Sequence, residues 1–191
     1  MPVGRATYCD PEHAISTGAH FTCGLGYGPD IKCWGAGHKG QTTIPAHLAS
    51  RAPKWLMSGG QHSCALVQDD SAICWGDSEY GALDVPAGRK WDYISPGMKF
   101  TCGIEKGTRH AYCWGKNDYG QATVPAGYKW SQIYSSFEHA CGVTQEGVRD
   151  APPPCAPHPV TLTSHRPNAK DTGGAGVSTS HCGHYQGLAR L

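Results

Sequence analysis

The stretch CWGAGHKGQTTIP, residues 33–45, returns as CWGDSEYGALDVP at residues 74–86 and as CWGKNDYGQATVP at residues 113–125. The three copies align without a gap, and each begins with Cys-Trp-Gly and ends with proline. A further cysteine precedes each copy, namely Cys23, Cys64 and Cys102. A fourth, partial copy follows and contains the equivalent cysteine, Cys141. These four cysteines are 41, 38 and 39 residues apart. A period of this size predicts one supersecondary unit per copy, stacked on its neighbours.

Each unit is predicted to be built from short β-strands. In the second copy, residues 62–66 and 72–75 carry apolar side chains at alternate positions, and Asp69-Asp70 lies between them, which is typical of a hairpin. A further strand is expected at 90–94 and a fourth at 120–124, ending at a proline that cannot donate to a ladder. The 26 glycines and 14 prolines exclude long helices. We therefore expect an all-β chain of four-stranded antiparallel propeller blades.

The repeated unit resembles that of the regulator of chromosome condensation family, which also builds a bacterial β-lactamase-inhibitor protein. The resemblance rests on the motifs W-x-x-I, S-x-G, H-x-C-x-L and C-W-G-x-N-x-Y-G-Q, and it covers roughly residues 12–148. In this chain the first copy lacks the tryptophan of W-x-x-I, Phe21 and Phe100 replace the histidine, and Ala82 replaces the glutamine. The resemblance implies a partial β-propeller here.

The family implies seven blades, whereas this chain contains three full units and part of a fourth. Either the chain is a fragment, or another chain closes the ring, or the ring is open. An open ring exposes blade faces and edges, which invites self-association.

The expected domain organisation is a lead-in at 1–11, repeats at 12–148 and a disordered tail at 149–191. The repeats divide at about 12–50, 51–87, 88–126 and 127–148. The tail replaces the fourth Cys-Trp-Gly with a proline-rich run and is poor in apolar residues, so it cannot form a core. Its cysteines and histidines are too loosely spaced to predict a metal site; they are Cys155, His158, His181, Cys182 and His184.

Six cysteines form three pairs at separations of 10, 10 and 11 residues, namely Cys23 with Cys33, Cys64 with Cys74, and Cys102 with Cys113. A tight hairpin brings such a pair opposite each other at about 4.5 to 5.5 Å between Cβ atoms, close to what a disulfide needs. We predict one disulfide per blade, with buried free thiols and metal binding as alternatives. Disulfides indicate an extracellular or secretory compartment. The N-terminal residues contain no apolar run typical of a signal peptide, and an N-terminally incomplete chain would reconcile the two observations.

The sequence contains no glycine-rich phosphate loop with Lys-Ser/Thr, no G-x-S-x-G and no H-E-x-x-H, so neither an enzyme nor a cofactor is expected. His62 and His139 share a repeat position with Phe21 and Phe100, which favours packing over catalysis. The 16 Lys and Arg residues nearly balance the 15 Asp and Glu residues, so nucleic-acid binding is not expected. No apolar run is long enough to predict a membrane span.

We therefore predict a non-enzymatic module that binds a protein partner through loops at one end of its blades. The candidate residues lie where the copies differ: His38, Lys39, Glu79, Tyr80, Lys116, Asn117, Asp118 and Tyr119. Tyrosine offers a large contact area at low entropic cost, although these residues equally fit plain turns. Two alternatives remain. One is an ectodomain fragment of a crinkly-type receptor-like kinase, whose repeats also carry C-G-L and C-W-G. The other is a guanine-nucleotide exchange factor-like propeller fragment, from fold analogy.

Overall fold

The computed structural model of the protein describes residues 15–26 and 30–145. Their regular structure consists of β-strands and two one-turn 3-10 segments, Ala49–Arg51 and Glu79–Gly81. The strands are β1 Ile15–Thr17, β2 Phe21–Leu25, β3 Ile31–Gly35, β4 Pro53–Ser58, β5 His62–Val67, β6 Ala72–Gly76, β7 Trp91–Pro96, β8 Phe100–Glu105, β9 Ala111–Gly115, β10 Trp130–Ser135 and β11 Ala140–Thr144. The predicted lead-in and disordered tail, including the tail cysteines and histidines, lie outside the described residues.

The strands form four antiparallel sheets, each a meander of consecutive strands. We name them blade 1 (β1–β3), blade 2 (β4–β6), blade 3 (β7–β9) and blade 4 (β10–β11). The hairpin expected in the second copy is confirmed, since β5 pairs with β6. The strand expected near residues 90–94 is β7. The all-β, partial-propeller architecture is therefore confirmed.

The prediction of four strands per blade is wrong for the described residues, because the three complete blades have three strands each. Residues 120–124 form turns instead of a strand. Gly120 donates its backbone N–H to the Asn117 carbonyl at 3.1 Å, and Thr123 donates to the Gly120 carbonyl at 3.0 Å. Gly120 also has a φ of +76°, in the left-handed region. Backbone groups that satisfy each other within a turn are not available to extend a sheet.

The core consists of three apolar clusters, and each lies between neighbouring blades. Between blades 1 and 2 the cluster includes Phe21, Leu25, Leu56, Val67 and Trp75. Between blades 2 and 3 it includes Leu66, Trp91 and Ile94. Between blades 3 and 4 it includes Phe100, Ile104, Trp130 and Ile133. Because a middle blade contacts a neighbour on each side, its strands are apolar on both faces, as stacked sheets require.

The three cysteine pairs lie directly opposite one another across the second and third strands of their blades. Their Cα atoms are 4.0 to 4.1 Å apart, and the structure joins each pair by a disulfide. The second-strand members, Cys23, Cys64 and Cys102, are fully buried. Each disulfide therefore links the second and third strands of one blade, and its second-strand cysteine lies within an inter-blade cluster.

The tryptophans of Cys-Trp-Gly connect each blade to the preceding one. The indole Nε1 of Trp75 donates to the Gln41 carbonyl at 3.0 Å, and that of Trp114 donates to the Ala82 carbonyl at 3.0 Å. Trp34 differs, because its side chain is 54% exposed whereas Trp75 is 4% exposed. Trp75 and Trp114 therefore take part in inter-blade packing, whereas Trp34 contacts no preceding blade within the described residues.

Candidate protein-interaction surface

Three loops emerge at the same end of the blades, immediately after the Cys-Trp-Gly strands. They comprise residues 36–40, 77–81 and 116–120, and we call them the loop surface. Each starts from a glycine, Gly35, Gly76 or Gly115, whose φ lies between +104° and +116°. A Cβ at these glycines would approach the carbonyl oxygens of residues 20, 61 and 99 to 2.6–2.8 Å. The same oxygens accept the backbone N–H of residues 36, 77 and 116 at 2.8–2.9 Å, so glycine allows the loop to start against the neighbouring strand.

The outer two loops share a buried glutamine anchor. The side-chain oxygen of Gln41 accepts the backbone N–H of Lys39 at 2.8 Å, and Gln121 accepts that of Tyr119 at 2.8 Å. Both glutamines are almost fully buried, so a hydrogen bond to a buried side chain fixes the backbone of each loop. A fixed loop loses little conformational entropy when it binds a partner.

The middle loop has a different anchor, because Ala82 replaces the glutamine. Here the carboxylate of Asp77 accepts the backbone N–H of Glu79 at 3.0 Å. Tyr80 then adopts a φ of +68°, in the left-handed region. A bulky residue rarely takes this conformation, and such residues are concentrated at binding and active sites.

Tyr80 is also the aromatic centre of the loop surface. Its side chain is 48% exposed, and that of Tyr119 is 47% exposed. The Nζ atoms of Lys99 and Lys116 lie 4.8 and 5.8 Å from the centroid of the Tyr80 ring. Lys116 lies 5.1 Å from the Tyr119 ring as well. Cations at this distance interact favourably with the ring face, so the two tyrosines and two lysines form one cluster.

Ion pairs connect the loops of neighbouring blades. Lys39 of blade 1 lies 3.7 Å from Asp77 of blade 2, and Lys99 of blade 3 lies 2.8 Å from Glu79 of blade 2. The hydrogen bond from Lys99 holds the pKa of Glu79 below its usual range. Because the charges alternate and are paired, the loop surface presents aromatic rings and mixed charges rather than a field of one sign.

The structure places all eight predicted site residues at this end of the blades. Seven are exposed and Lys116 is half-buried; the exposed ones are His38, Lys39, Glu79, Tyr80, Asn117, Asp118 and Tyr119. Sequence reasoning missed Lys99 and also Glu138, which lies 3.3 Å from Lys116. Both occupy the position directly before the repeated Phe or His that follows the turn between the first and second strands. The residues at that position in the four copies are His20, Gln61, Lys99 and Glu138. They differ between copies as the predicted loop residues do, so the same criterion could have identified Lys99 and Glu138 from the sequence.

A shallow depression of about 290 Å³ lies at the same end, on the inner rim of the blades. Small residues of the turns between first and second strands line it, including Gly18, Gly60, Gly97 and Ser136. In residues 15–26 and 30–145, no group of three or more His, Cys, Asp or Glu side chains is arranged to hold a metal ion. No helix in the described part of the chain is long and apolar enough to cross a membrane.

Comparison with protein families matches residues 58–82 to the regulator of chromosome condensation (RCC1) repeat. This segment contains the disulfide-linked hairpin of blade 2 and the middle loop with Tyr80. No curated protein matches the chain by sequence.

Solved structures provide the wider likeness. The ectodomain of the receptor kinase CR4 from Physcomitrella patens is 26% identical, with a TM-score of 0.58 over 70% of this chain and 38% of its own. The CRINKLY WD40 ectodomain of the Arabidopsis thaliana receptor kinase ACR4 is 24% identical, with a TM-score of 0.56 over 70% of this chain and 45% of its own. Prp20p of Saccharomyces cerevisiae is 15% identical, with a TM-score of 0.60 over 70% of this chain and 43% of its own.

This chain therefore spans less than half the length of these solved relatives. The Prp20p structure is described together with its binding to Gsp1p and histones, and yeast RCC1 (Prp20) has also been solved bound to Kap60. The repeat match and the shared fold support the same architecture. The described residues form a partial β-propeller, and its second blade matches the regulator of chromosome condensation repeat.

Proposed function

We propose that this chain binds a protein partner through the loop surface, with Tyr80 at the centre of the contact. The observation that carries the proposal is the conformation of Tyr80, an exposed aromatic residue held in left-handed backbone geometry between two lysines. Aromatic side chains on rigid supports are the usual anchors of protein interfaces. The buried anchors Gln41, Asp77 and Gln121 supply such a support.

The proposed partner surface is polar and mixed in charge. The ion pairs of Lys39 and Lys99 with carboxylates on the middle loop leave no strong net charge to attract a polyanion. The hydroxyl groups of Tyr80 and Tyr119 are available to hydrogen-bond with a partner, and their rings supply apolar area. We infer that recognition depends on these two rings rather than on long-range electrostatic attraction.

A comparative affinity purification tests the proposal. Three oxidised baits are used in parallel: the wild type, Tyr80→Ser/Tyr119→Ser, and the control Tyr128→Ser. Tyr128 is 38% exposed but precedes β10, at the opposite end of the strands from the loop surface. A partner should be retained by the wild type and the control, and retained at least about tenfold less by the double variant, since truncated aromatic anchors typically cost more than 1 kcal/mol each.

The purified candidate is then titrated against the same three proteins by calorimetry. The expected result is a direct complex whose Kd weakens only with the loop variant. Partners that bind all three proteins equally well would place the binding surface elsewhere and contradict the proposal.

A second candidate is that the chain is part of an ectodomain of a crinkly-type receptor kinase. Two observations favour it: the 24% and 26% identity to the ACR4 and CR4 ectodomains, and one disulfide in each complete blade, which suits an extracellular or secretory compartment. Sequencing of the full transcript tests it, and an adjoining membrane span and kinase domain is the expected result. Guanine-nucleotide exchange rests on fold alone, because the yeast relatives are 15–16% identical.

A further inference from the structure

The two end blades expose apolar side chains at positions that are buried in the middle of the array. Ile15 of β1 lies opposite Gly24, the register position that Leu56, Ile94 and Ile133 occupy in the later blades. Those three equivalents are 0–3% exposed and pack against the preceding blade, whereas Ile15 is 67% exposed. Trp34 is likewise 54% exposed at the position where Trp75 and Trp114 contact the preceding blade. Blade 1 therefore presents a face suited to a preceding blade.

Blade 4 presents the opposite face. Tyr134 lies opposite Cys141, the position of Ser16 in blade 1 and Ser95 in blade 3. The hydroxyls of both serines accept a backbone N–H from the next blade at 2.7 Å, so this position faces a following blade. Tyr134 is 52% exposed, and its ring lies edge-on to Tyr93 of blade 3 at 6.2 Å between centroids, so Phe137, which is 62% exposed, is the freer apolar side chain of this blade.

A series of backbone hydrogen bonds across the inner rim ends with unused groups at both ends. Gly60 donates its N–H to the Gly97 carbonyl at 2.9 Å, and Met98 donates to the Ser136 carbonyl at 3.1 Å. In the repeat, Phe137 is the equivalent of Met98, and Gly18 is the equivalent of Gly97 and Ser136. Within residues 15–26 and 30–145, the Phe137 N–H has no acceptor and the Gly18 carbonyl has no donor. Each end of the array thus carries the group that the other lacks.

We propose that two copies of this chain associate head to tail, with blade 4 of one copy packed on blade 1 of the other. The contact continues the three inter-blade interfaces already present in each copy: Phe137 packs against the blade 1 face that carries Ile15, and it donates its N–H to the Gly18 carbonyl. A two-fold arrangement uses both open faces of each copy, so it closes without leaving a free end. This self-association does not involve the loop surface and is independent of the proposed partner binding.

Sedimentation velocity of the oxidised 191-residue chain, at about 1 to 50 µM, tests the proposal. The wild type should sediment as a dimer. Ile15→Lys and Phe137→Lys each place a charge in the contact and should weaken the dimer roughly tenfold or more. The control Tyr80→Lys changes an equally exposed side chain on the loop surface and should leave the dimer intact.

Mixing the two variants distinguishes a head-to-tail contact from any symmetric one. Ile15→Lys retains an intact blade 4 face and Phe137→Lys retains an intact blade 1 face, so an equimolar mixture should form a 1:1 pair held by one intact contact, while the contact that carries both lysines stays open. Near-ultraviolet circular dichroism verifies that each variant is folded. A folded wild type that stays monomeric over the whole concentration range would overturn the proposal. Segments of the same chain that cover Ile15 and Trp34 would give this monomeric result. A dimer that neither variant weakens, or variants that fail to pair on mixing, would also overturn it.

Discussion

Replacing His62 with phenylalanine should remove much of the acid sensitivity of the fold. His62 is fully buried between blades 2 and 3, and its Nε2 lies 2.8 Å from the Thr101 hydroxyl oxygen. That hydroxyl donates its own proton to the Ala82 carbonyl at 2.9 Å, so Nε2 must carry the proton that links His62 to Thr101. The other ring nitrogen, Nδ1, is buried and has no partner among the described residues. Protonation of Nδ1 would therefore place an unsolvated positive charge in the core.

The size of the effect follows from the pKa. Burial lowers the pKa of His62 from 6.5 to about 4, although Asp77 partly opposes this change. Because the unfolded chain binds the proton more tightly, stability is fully present above about pH 6.5 and decreases as the pH falls towards 4. A tenfold difference in proton affinity between the folded and unfolded chain corresponds to about 1.4 kcal/mol, so the free energy of unfolding should fall by about 3 kcal/mol across this window.

Urea unfolding of the oxidised protein at several pH values between about 8 and 4 measures this loss. The wild type should lose roughly 2 to 3 kcal/mol more than His62→Phe by about pH 4.5. Phenylalanine fits the site in principle, since Phe100 is fully buried at the same position of blade 3. Carboxylates with lowered pKa, such as Asp70 and Glu105, lose their contribution equally in both proteins. The control His47→Phe changes an exposed histidine. Parallel pH curves for the wild type and His62→Phe would refute the reasoning.

Two further predictions use positions matched within the repeat. Trp75→Phe should lower the free energy of unfolding by about 1 kcal/mol or more, because it removes a buried hydrogen bond to the Gln41 carbonyl. Trp34→Phe should change the stability of the monomer little, because Trp34 is exposed. Chemical denaturation at low protein concentration compares the two variants. Gly76→Ala should destabilise the fold far more than Gly88→Ala, although both glycines have a positive φ. A Cβ at Gly76 would lie 2.6 Å from a carbonyl oxygen, whereas a Cβ at Gly88 would meet no atom within 4 Å. Equal losses of Tm for the two alanine variants would contradict the steric argument.

The repeat itself made the blades predictable. The similar separations of 10, 10 and 11 residues within the cysteine pairs predicted that Cys64 lies opposite Cys74, because a hairpin with a tight turn has few registers that suit alternating apolar residues. The exposed ends of the loops were also predictable, since they differ between copies while the surrounding framework repeats.

Other features depend on tertiary context that a single copy does not contain. Trp34 has the same local sequence as Trp75, and its exposure differs only because no described blade precedes it. Trp55 would be aligned with Trp91 by residue type, yet Pro53 holds the Trp91 position, as strand pairing with β5 and β8 shows. The left-handed conformation of Tyr80 occurs in the loop where Ala82 replaces the glutamine, which in the other two loops accepts a backbone N–H two residues earlier.

The most direct test of the account is the pairing of the cysteines in the non-reduced, alkylated protein. Trypsin cleaves after Lys32 and Lys106, and an Asp-specific protease cleaves at Asp69-Asp70, so each hairpin is cut between its two cysteines. Three peptide pairs are expected, Cys23 with Cys33, Cys64 with Cys74 and Cys102 with Cys113. Such bonds would verify the strand register and favour an extracellular or secretory compartment. Bonds between different hairpins would contradict the blade structure, and six free thiols would contradict the oxidised blades and the compartment.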